Sequence, residues 1–417
     1  MLELQNVVDP RKYGQYRIEE IIFGAISLFV FKCGSRNAMN NFRSEDNFRD
    51  NFYKAFRLRL PQMDTVKVVF EKLNPQELEN LKTSLVKHLI SNKIFDKWRL
   101  DGKILIAVDG TGVSSYDHRH CENCTVHTYK VNQKRKKERK VYFHNVLEAK
   151  IVTENGFSIS ICTEWVENEG VDYDKQDCEI KAFLRLSKKL KANFPRLPIC
   201  ICADGLYPNK TFFEVCIANQ WDYIVTLPDK SLSTFWNKIR FLNRECVTNK
   251  YNEGNIHFKQ RFIFLNQISH NNIVHSWIQT NETQTDLSGK IEKYKFVHLT
   301  NIPITHQNVM QVSKAGRLRW KIEKQGFDQQ KNHGYNICHK YCRKSYTGLK
   351  NFYQCCQMGH LFNQLLELSE QFKELLPGKK TRKHAWICLW GFMIYGQIDE
   401  ALVVEYQKCR MQFQYKC

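Results

Sequence analysis

Residues 103–112 read KILIAVDGTG. An apolar, largely β-branched run with no helical period describes a strand buried on both faces, as parallel strands are. Asp109 closes that run, and a carboxylate just past a buried strand opens into a crevice rather than into the core. The pattern recurs in PICICADG (198–205), where Asp204 ends a second short run. A third acid, Glu323, stands in RLRWKIEKQGF (317–327) among Arg317, Arg319, Lys321 and Lys324. No packing argument explains a glutamate there, whereas carboxylates in a cationic field commonly hold a metal or a metal-bound phosphate.

Outward from the first run, VYFHNVLEAKIV (141–152) and GFSISICTEWV (156–166) read as further strands. DCEIKAFLRLSKKLKANF (177–194) reads as a helix with Asp177 as N-cap and Ile180, Phe183, Leu184 and Leu190 near one face. PICICAD returns to strand, YPNKTFFEVCIANQ (207–220) is helical with Pro208 in its first turn, and WDYIVTL (221–227) is a strand. The predicted order is β-β-β-α-β-α-β, an α/β fold with acids ending the first and fourth strands.

Before this core, RIEEIIFGAISLFVFK (17–32), a segment begun by Ser35, LPQMDTVKVVFEKL (60–73) and NPQELENLKTSLVKHLI (74–90) read as helices, the last with Asn74 as N-cap and Pro75 in its first turn. Such short helices suit either a DNA-contacting or dimerising module or a packing domain. After the core, FKQRFIFLNQI (258–268), NIVHSWIQTN (272–281) and YKFVHLTNI (294–302) alternate like an antiparallel sheet. GRLRWKIEKQGFDQQKN (316–332) is helical again, with Gly326 inside it, and the helices of 351–376 and 384–395 follow. The expected units are a helical N-terminal domain (1–100), a first core part (101–228), a β-rich insertion (229–316), a second core part with the glutamate helix (317–375) and a C-terminal helical segment (376–417).

With 63 Lys and Arg against 43 Asp and Glu, the 417-residue chain carries a net charge of +20, which favours a polyanionic partner, nucleic acid foremost. The 16 cysteines are scattered and partly embedded in apolar runs, which predicts a reducing compartment and not a disulfide framework. The longest apolar run, Ile21 to Phe31, falls short of the roughly 20 residues of a spanning helix. A soluble cytoplasmic protein, nucleoid-associated when on DNA, is expected, with no membrane partner. No Walker-type loop or dinucleotide fingerprint supports a nucleotide cofactor.

Attack on phosphorus needs an activated oxygen nucleophile and charge neutralisation, which two divalent cations about 3.5–4 Å apart supply together. Hard carboxylate ligands suit Mg2+ or Mn2+. IAVDGTG (106–112), ICADGLYPN (201–209) and RLRWKIEKQGFDQQKNHGYN (317–336) resemble the DDE transposases of bacterial insertion sequences, cut-and-paste type. The resemblance runs from about SRNAMNNF (35–42) to the helix around HLFNQLLEL (360–368). It implies a ribonuclease-H-like core with a β-rich insertion, Asp109, Asp204 and Glu323 as catalytic residues and ligands of two Mg2+ ions, and double-stranded DNA as partner. It further implies a homodimer on paired terminal inverted repeats, N-terminal helices touching those repeats, and joining to target DNA. The family's signature helix, Tyr-x2-Arg-x3-Glu-x6-Lys, is met by Arg319 and Glu323, while Gly316 takes the tyrosine position and Gln330 the lysine position, with Lys331 one residue later. An extra residue before Phe327 would explain that shift. Arg319, Lys331, Arg317 and Lys321 are the expected phosphate-binding residues. A nuclease or resolvase without strand transfer, and a decayed DNA-binding relative, are the alternatives.

HRHCENCTVH (118–127) sets Cys121 and Cys124 at zinc-knuckle spacing with His118, His120 and His127 on the same loop, so a structural zinc site is open beside an unligated loop. Cys338, His339 and Cys342 could join it only if the fold brings them near. KVNQKRKKERK (130–140) could follow a phosphate backbone or be a solvated hairpin tip, and Trp320 is expected to pack beneath its helix, with base stacking as the alternative.

Overall fold

In the computed structural model, residues 4–132, 137–168, 175–409 and 411–413 are described, so 133–136 of the basic run lie outside the described residues. Five helices come first: α1 (Ile18–Val30), α2 (Arg36–Ser44), α3 (Asp46–Phe56), α4 (Met63–Phe70) and α5 (Pro75–Ser91). Ser35 Oγ accepts from the Ala38 amide and Asn74 Oδ1 from the Gln76 amide, so both caps act where the sequence places them. α3 is an additional helix. α1 is apolar nearly all round and is accordingly buried.

The strands follow: β1 (Ile104–Tyr116), β2 (Thr125–Asn132), β3 (Lys137–Val152) and β4 (Ser158–Val166), then α6 (Glu179–Asn193), β5 (Ile199–Ala203), α7 (Lys210–Ala218) and β6 (Asp222–Thr226). α8 (Ser233–Ile239) leads into β7 (Glu245–Glu253), β8 (Ile256–His270), β9 (Ile273–Asp286) and β10 (Ile291–Thr300). One mixed sheet runs β2-β3-β1-β5-β6-β10-β9-β8-β7, with β4 also paired to β3. β1, β5 and β6 are parallel, and β3 is antiparallel to β1. β10 joins β6 through His298↔Thr226, so the β-rich segment extends the core sheet.

β2, β7 and α8 are elements the sequence did not announce. β2 residues 127–130 are exposed, so the strand has no apolar alternation to read. The N-cap of α6 is Cys178, not Asp177; Asp177 instead accepts from the Glu167 amide at 3.0 Å and pairs with Arg185 at 2.7 Å. Pro208 precedes the cap of α7, which is Asn209.

The chain closes with α9 (Val309–Leu318), a π-helical segment (Ile322–Asp328), α10 (Gln329–Asn332), α11 (Tyr346–Glu367), α12 (Glu370–Glu374), α13 (Arg382–Tyr395) and α14 (Glu400–Tyr406). α9 begins at Val309, earlier than the Gly316 start read from sequence, because Val309, Val312 and Ala315 already form its apolar stripe. α1–α5 share a core with α11, with Val113, Val146 and Trp165 of the sheet, and with Met393 of α13. No helix among the described residues is long and apolar enough to cross a membrane.

A buried polar network ties these layers together. Lys82 of α5 donates to Ser160 Oγ (2.9 Å) and Thr163 Oγ1 (2.5 Å), and both hydroxyls donate to the Glu148 carboxylate, as does Tyr353 of α11 at 3.0 Å. Lys82 and Glu148 are both fully buried. Lys82→Met would leave an uncompensated buried carboxylate, and urea unfolding is expected to show a loss of about 3 kcal/mol. Glu148→Gln added to Lys82→Met should recover part of that loss; a neutral single variant would show that the pair contributes nothing.

Candidate active site

Alternation along β1 decides where Asp109 points. Ile104, Ile106 and Val108 face the α6 side, whereas Leu105 and Ala107 join the cluster formed with α9 and the π segment. Asp109 continues the second series. The sequence placed Asp109 at a strand end, but β1 runs on to Tyr116, with Asp109 opposite Glu148 of β3. The crevice opens because the parallel neighbour stops: β1–β5 pairing ends at Ala107↔Cys202. Asp204 directly follows β5, and its Oδ1 accepts from the Leu206 amide at 2.9 Å.

Glu323 enters from the π segment. Such a segment fits one surplus residue into a helix, and its effect is legible in the next turn. Gln330 is fully buried, bonded to Gln357 (2.9 Å) and His360 (3.0 Å), while Lys331 is exposed and lines the cleft. The surplus residue thus hands the place that regular helix would give residue 330 to residue 331. Gly316 cannot be replaced by a bulkier residue without rearrangement, since a Cβ there would lie 2.7 Å from the His298 ring and 2.9 Å from Ile224.

Asp109, Asp204, Glu323, Arg319 and Lys331 line one cleft of about 330 Å3. Arg319 is 7% exposed, and its Nη1 lies 3.3 Å from Asp109 Oδ2. Its Nε is buried without a partner. Arg317 instead reaches Glu282 of β9 at 2.6 Å and lies over the Phe296 ring at 4.2 Å. It lines an adjoining groove with Asp204, Lys295 and Trp320. Lys321 is half-buried and lines neither space. Trp320 does not pack beneath its helix: it is 51% exposed, under the Arg319 guanidinium, because it sits on the outer face of the turn whose inner face carries Ile322.

Burial pushes the Asp109 carboxyl up to about 6; Arg319 opposes this, and the charges of Asp204 and Glu323 add to it. A fourth acid, Glu179, is also pushed up to about 6, by burial and then by Asp109 and Asp204. It lies across from Thr111 and Gly110 in a space on the other side of β1. Sequence reading missed it because taking Asp177 as the cap makes Glu179 an ordinary first-turn acid. Mutually destabilised carboxylates of this kind fit hard divalent cations.

The zinc-knuckle residues fall elsewhere. Cys121 and Cys124 face His144 of β3, whereas His118 is exposed and His127 is exposed on β2 beside Tyr129. Strand geometry turns His127 away from the cysteines. Cys338 contacts the Gly112 carbonyl and Cys342 the Glu71 carboxylate, so neither joins them. His144 lies 20 residues beyond Cys124, outside any local motif.

The family described as Transposase DDE domain matches residues 101–347 of the chain. No curated protein matches it.

Proposed function

The chain belongs to the transposase DDE domain family, and from that premise we propose that Asp109, Asp204 and Glu323 are the acids with which it cleaves transposon ends and joins them to target DNA. Membership makes it a transposase acting on DNA through a ribonuclease-H-like core, in a family that generally uses divalent metal ions. The observation that carries the proposal is the convergence of three acids from β1, the end of β5 and the π segment on one cleft beside Arg319.

Three carboxylates lining one cleft suit a pair of Mg2+ or Mn2+ ions. Two such ions, when bound, supply nucleophile activation and charge neutralisation at phosphorus. The chain contributes position and charge. Arg319 has one guanidinium nitrogen on Asp109 and an unpartnered Nε, so it orients a ligand carboxylate and can donate to a phosphate oxygen. Lys331 brings a second cation to the rim. In the proposed reaction a water oxygen bonds to phosphorus as the P–O3′ bond breaks, freeing the 3′ hydroxyl. The oxygen of that hydroxyl then bonds to the phosphorus of a second phosphodiester as the P–O3′ bond there breaks, and the displaced 3′ oxygen leaves as a hydroxyl, taking up a proton in place of the one the attacking hydroxyl gives up. No covalent enzyme intermediate is involved. A homodimer bridging paired inverted repeats is the proposed working form.

Incubating the full chain with labelled inverted-repeat DNA and Mg2+ tests this. Joined products support the proposal, nicks alone indicate a nuclease, and a mobility shift without cleavage indicates a decayed binder. Arg319→Ala is expected to slow single-turnover cleavage by about 10²-fold, with Arg319→Lys recovering only part, because a point charge cannot reproduce the planar fork. Equal rates in all three proteins would remove Arg319 from the site.

A further inference from the structure

We propose a second, structural metal site in this chain: a tetrahedral zinc ion held by Cys121, Cys124, His144 and His120. Three ligand atoms already form a nearly equilateral triangle. Cys121 Sγ to Cys124 Sγ, Cys121 Sγ to His144 Nε2 and Cys124 Sγ to His144 Nε2 are each 3.6 Å. Zn–S bonds near 2.3 Å and Zn–N bonds near 2.0–2.1 Å meeting at the tetrahedral angle give edges of about 3.5–3.8 Å. The sulfurs are far beyond the roughly 2.05 Å of a disulfide.

His120 supplies the fourth corner. Its ring nitrogen lies within 4.8 Å of the Cys121 and His144 ligand atoms. His120 Nε2 donates to the Arg343 carbonyl, while its Nδ1 is buried without a partner. One nitrogen bonded to a carbonyl and the other left with a free lone pair is how metal-ligating histidines are oriented. The imidazoles are held further by stacking, His120 on Tyr116 at 4.2 Å and His144 on Tyr346 at 4.1 Å. Cys124 and His144 are fully buried and Cys121 is half-buried, so the cluster is largely withdrawn from water. Two sulfur and two nitrogen donors in tetrahedral array select zinc over the hard cations suited to carboxylates.

This site is not the carboxylate cleft. β1 carries the chain from Asp109 to Tyr116, about 23 Å at 3.3 Å per residue. The ion would pin the turn after β1 to β3 and, through His120, to the segment entering α11. It would thereby anchor the β2–β3 hairpin that carries Lys130, Arg139 and Lys140.

The test is metal content of the full chain expressed with zinc and dialysed. One zinc per chain is expected, falling to below about a tenth in Cys124→Ser and His144→Ala, and unchanged in His118→Ala and His127→Ala. Should the first two variants fail to fold, Co2+ substitution of the wild-type chain decides, with thiolate-to-cobalt charge transfer and strong tetrahedral visible bands expected. A wild-type chain without zinc, octahedral cobalt spectra, retention of zinc by Cys124→Ser, or a Cys121–Cys124 disulfide in freshly reduced protein would each overturn the site.

Discussion

Asp109→Asn is expected to reduce DNA cleavage by at least about 10³-fold and, in the same protein, to raise the stability of the metal-free chain. The two effects share one cause. Asp109 is half-buried beside Asp204 and Glu323, with Glu179 across the strand, and Arg319 only partly offsets them. Its folded-state pKa is raised from 3.8 to about 6. Between those values the folded chain binds more protons than the unfolded one, so this group's contribution to stability declines as pH rises through the window. Below about pH 4 the penalty is absent, and above about pH 6 it is fully present. A shift of roughly two units corresponds to an order of 2 kcal/mol once residual solvent screening is allowed for. Asparagine does not titrate and can still accept from the Gly110 amide, as Asp109 does at 2.9 Å. Its advantage in urea unfolding should therefore grow from pH 4 to pH 6 and then level off. Added Mg2+ should stabilise the wild type more than the variant, since a ligand that binds only the folded state adds to its stability. A variant that cleaves normally, or one that is less stable than wild type at pH 7, would remove Asp109 from the metal site.

How far the sequence reveals this site depends on how local each signal is. The runs 104–108 and 199–203 are apolar because both faces of their strands are covered, so the central strands and the positions of Asp109 and Asp204 could be read directly. β2 could not, because an exposed strand has no face to mark. That Asp109 lies within β1 depends on where β5 stops, a property of the pairing and not of residues 104–116. Glu179 and His144 became visible only once distant elements met, Glu179 across β1 and His144 from β3 against the loop cysteines. Lys331 is an intermediate case. The one-residue offset is in the sequence, but whether helix or loop absorbs it is decided by what residue 330 can bury.

That offset leads to opposite expectations for two variants near the signature helix. Gln330→Lys restores the family's lysine by residue count, yet it is expected to destabilise the chain by at least about 4 kcal/mol and to abolish cleavage. Position 330 is fully buried, and its Oε1 accepts from Lys150 at 3.3 Å. Lys150 is itself buried, lies 4.9 Å from the Phe327 ring and is held down to about 8 by burial. A second ammonium there would lose that acceptor and face a like charge. Because the folded-state pKa of Lys150 lies below its usual 10.5, the unfolded chain holds more protons from about pH 8 to 10.5, and stability from this group rises with pH across that range. The damage done by Gln330→Lys should accordingly ease as the pH is raised past 8. Deleting Gln325 acts the other way. It removes the surplus residue, leaves Glu323 and Lys331 seven apart on one face of a regular helix, and eliminates a buried side-chain oxygen that has no partner. The deleted chain should fold and retain cleavage to within about tenfold, because the cleft keeps every charged group it had. Loss of cleavage on deleting Gln325 together with tolerance of Gln330→Lys would show that the π segment does not set the register of Lys331 against Glu323.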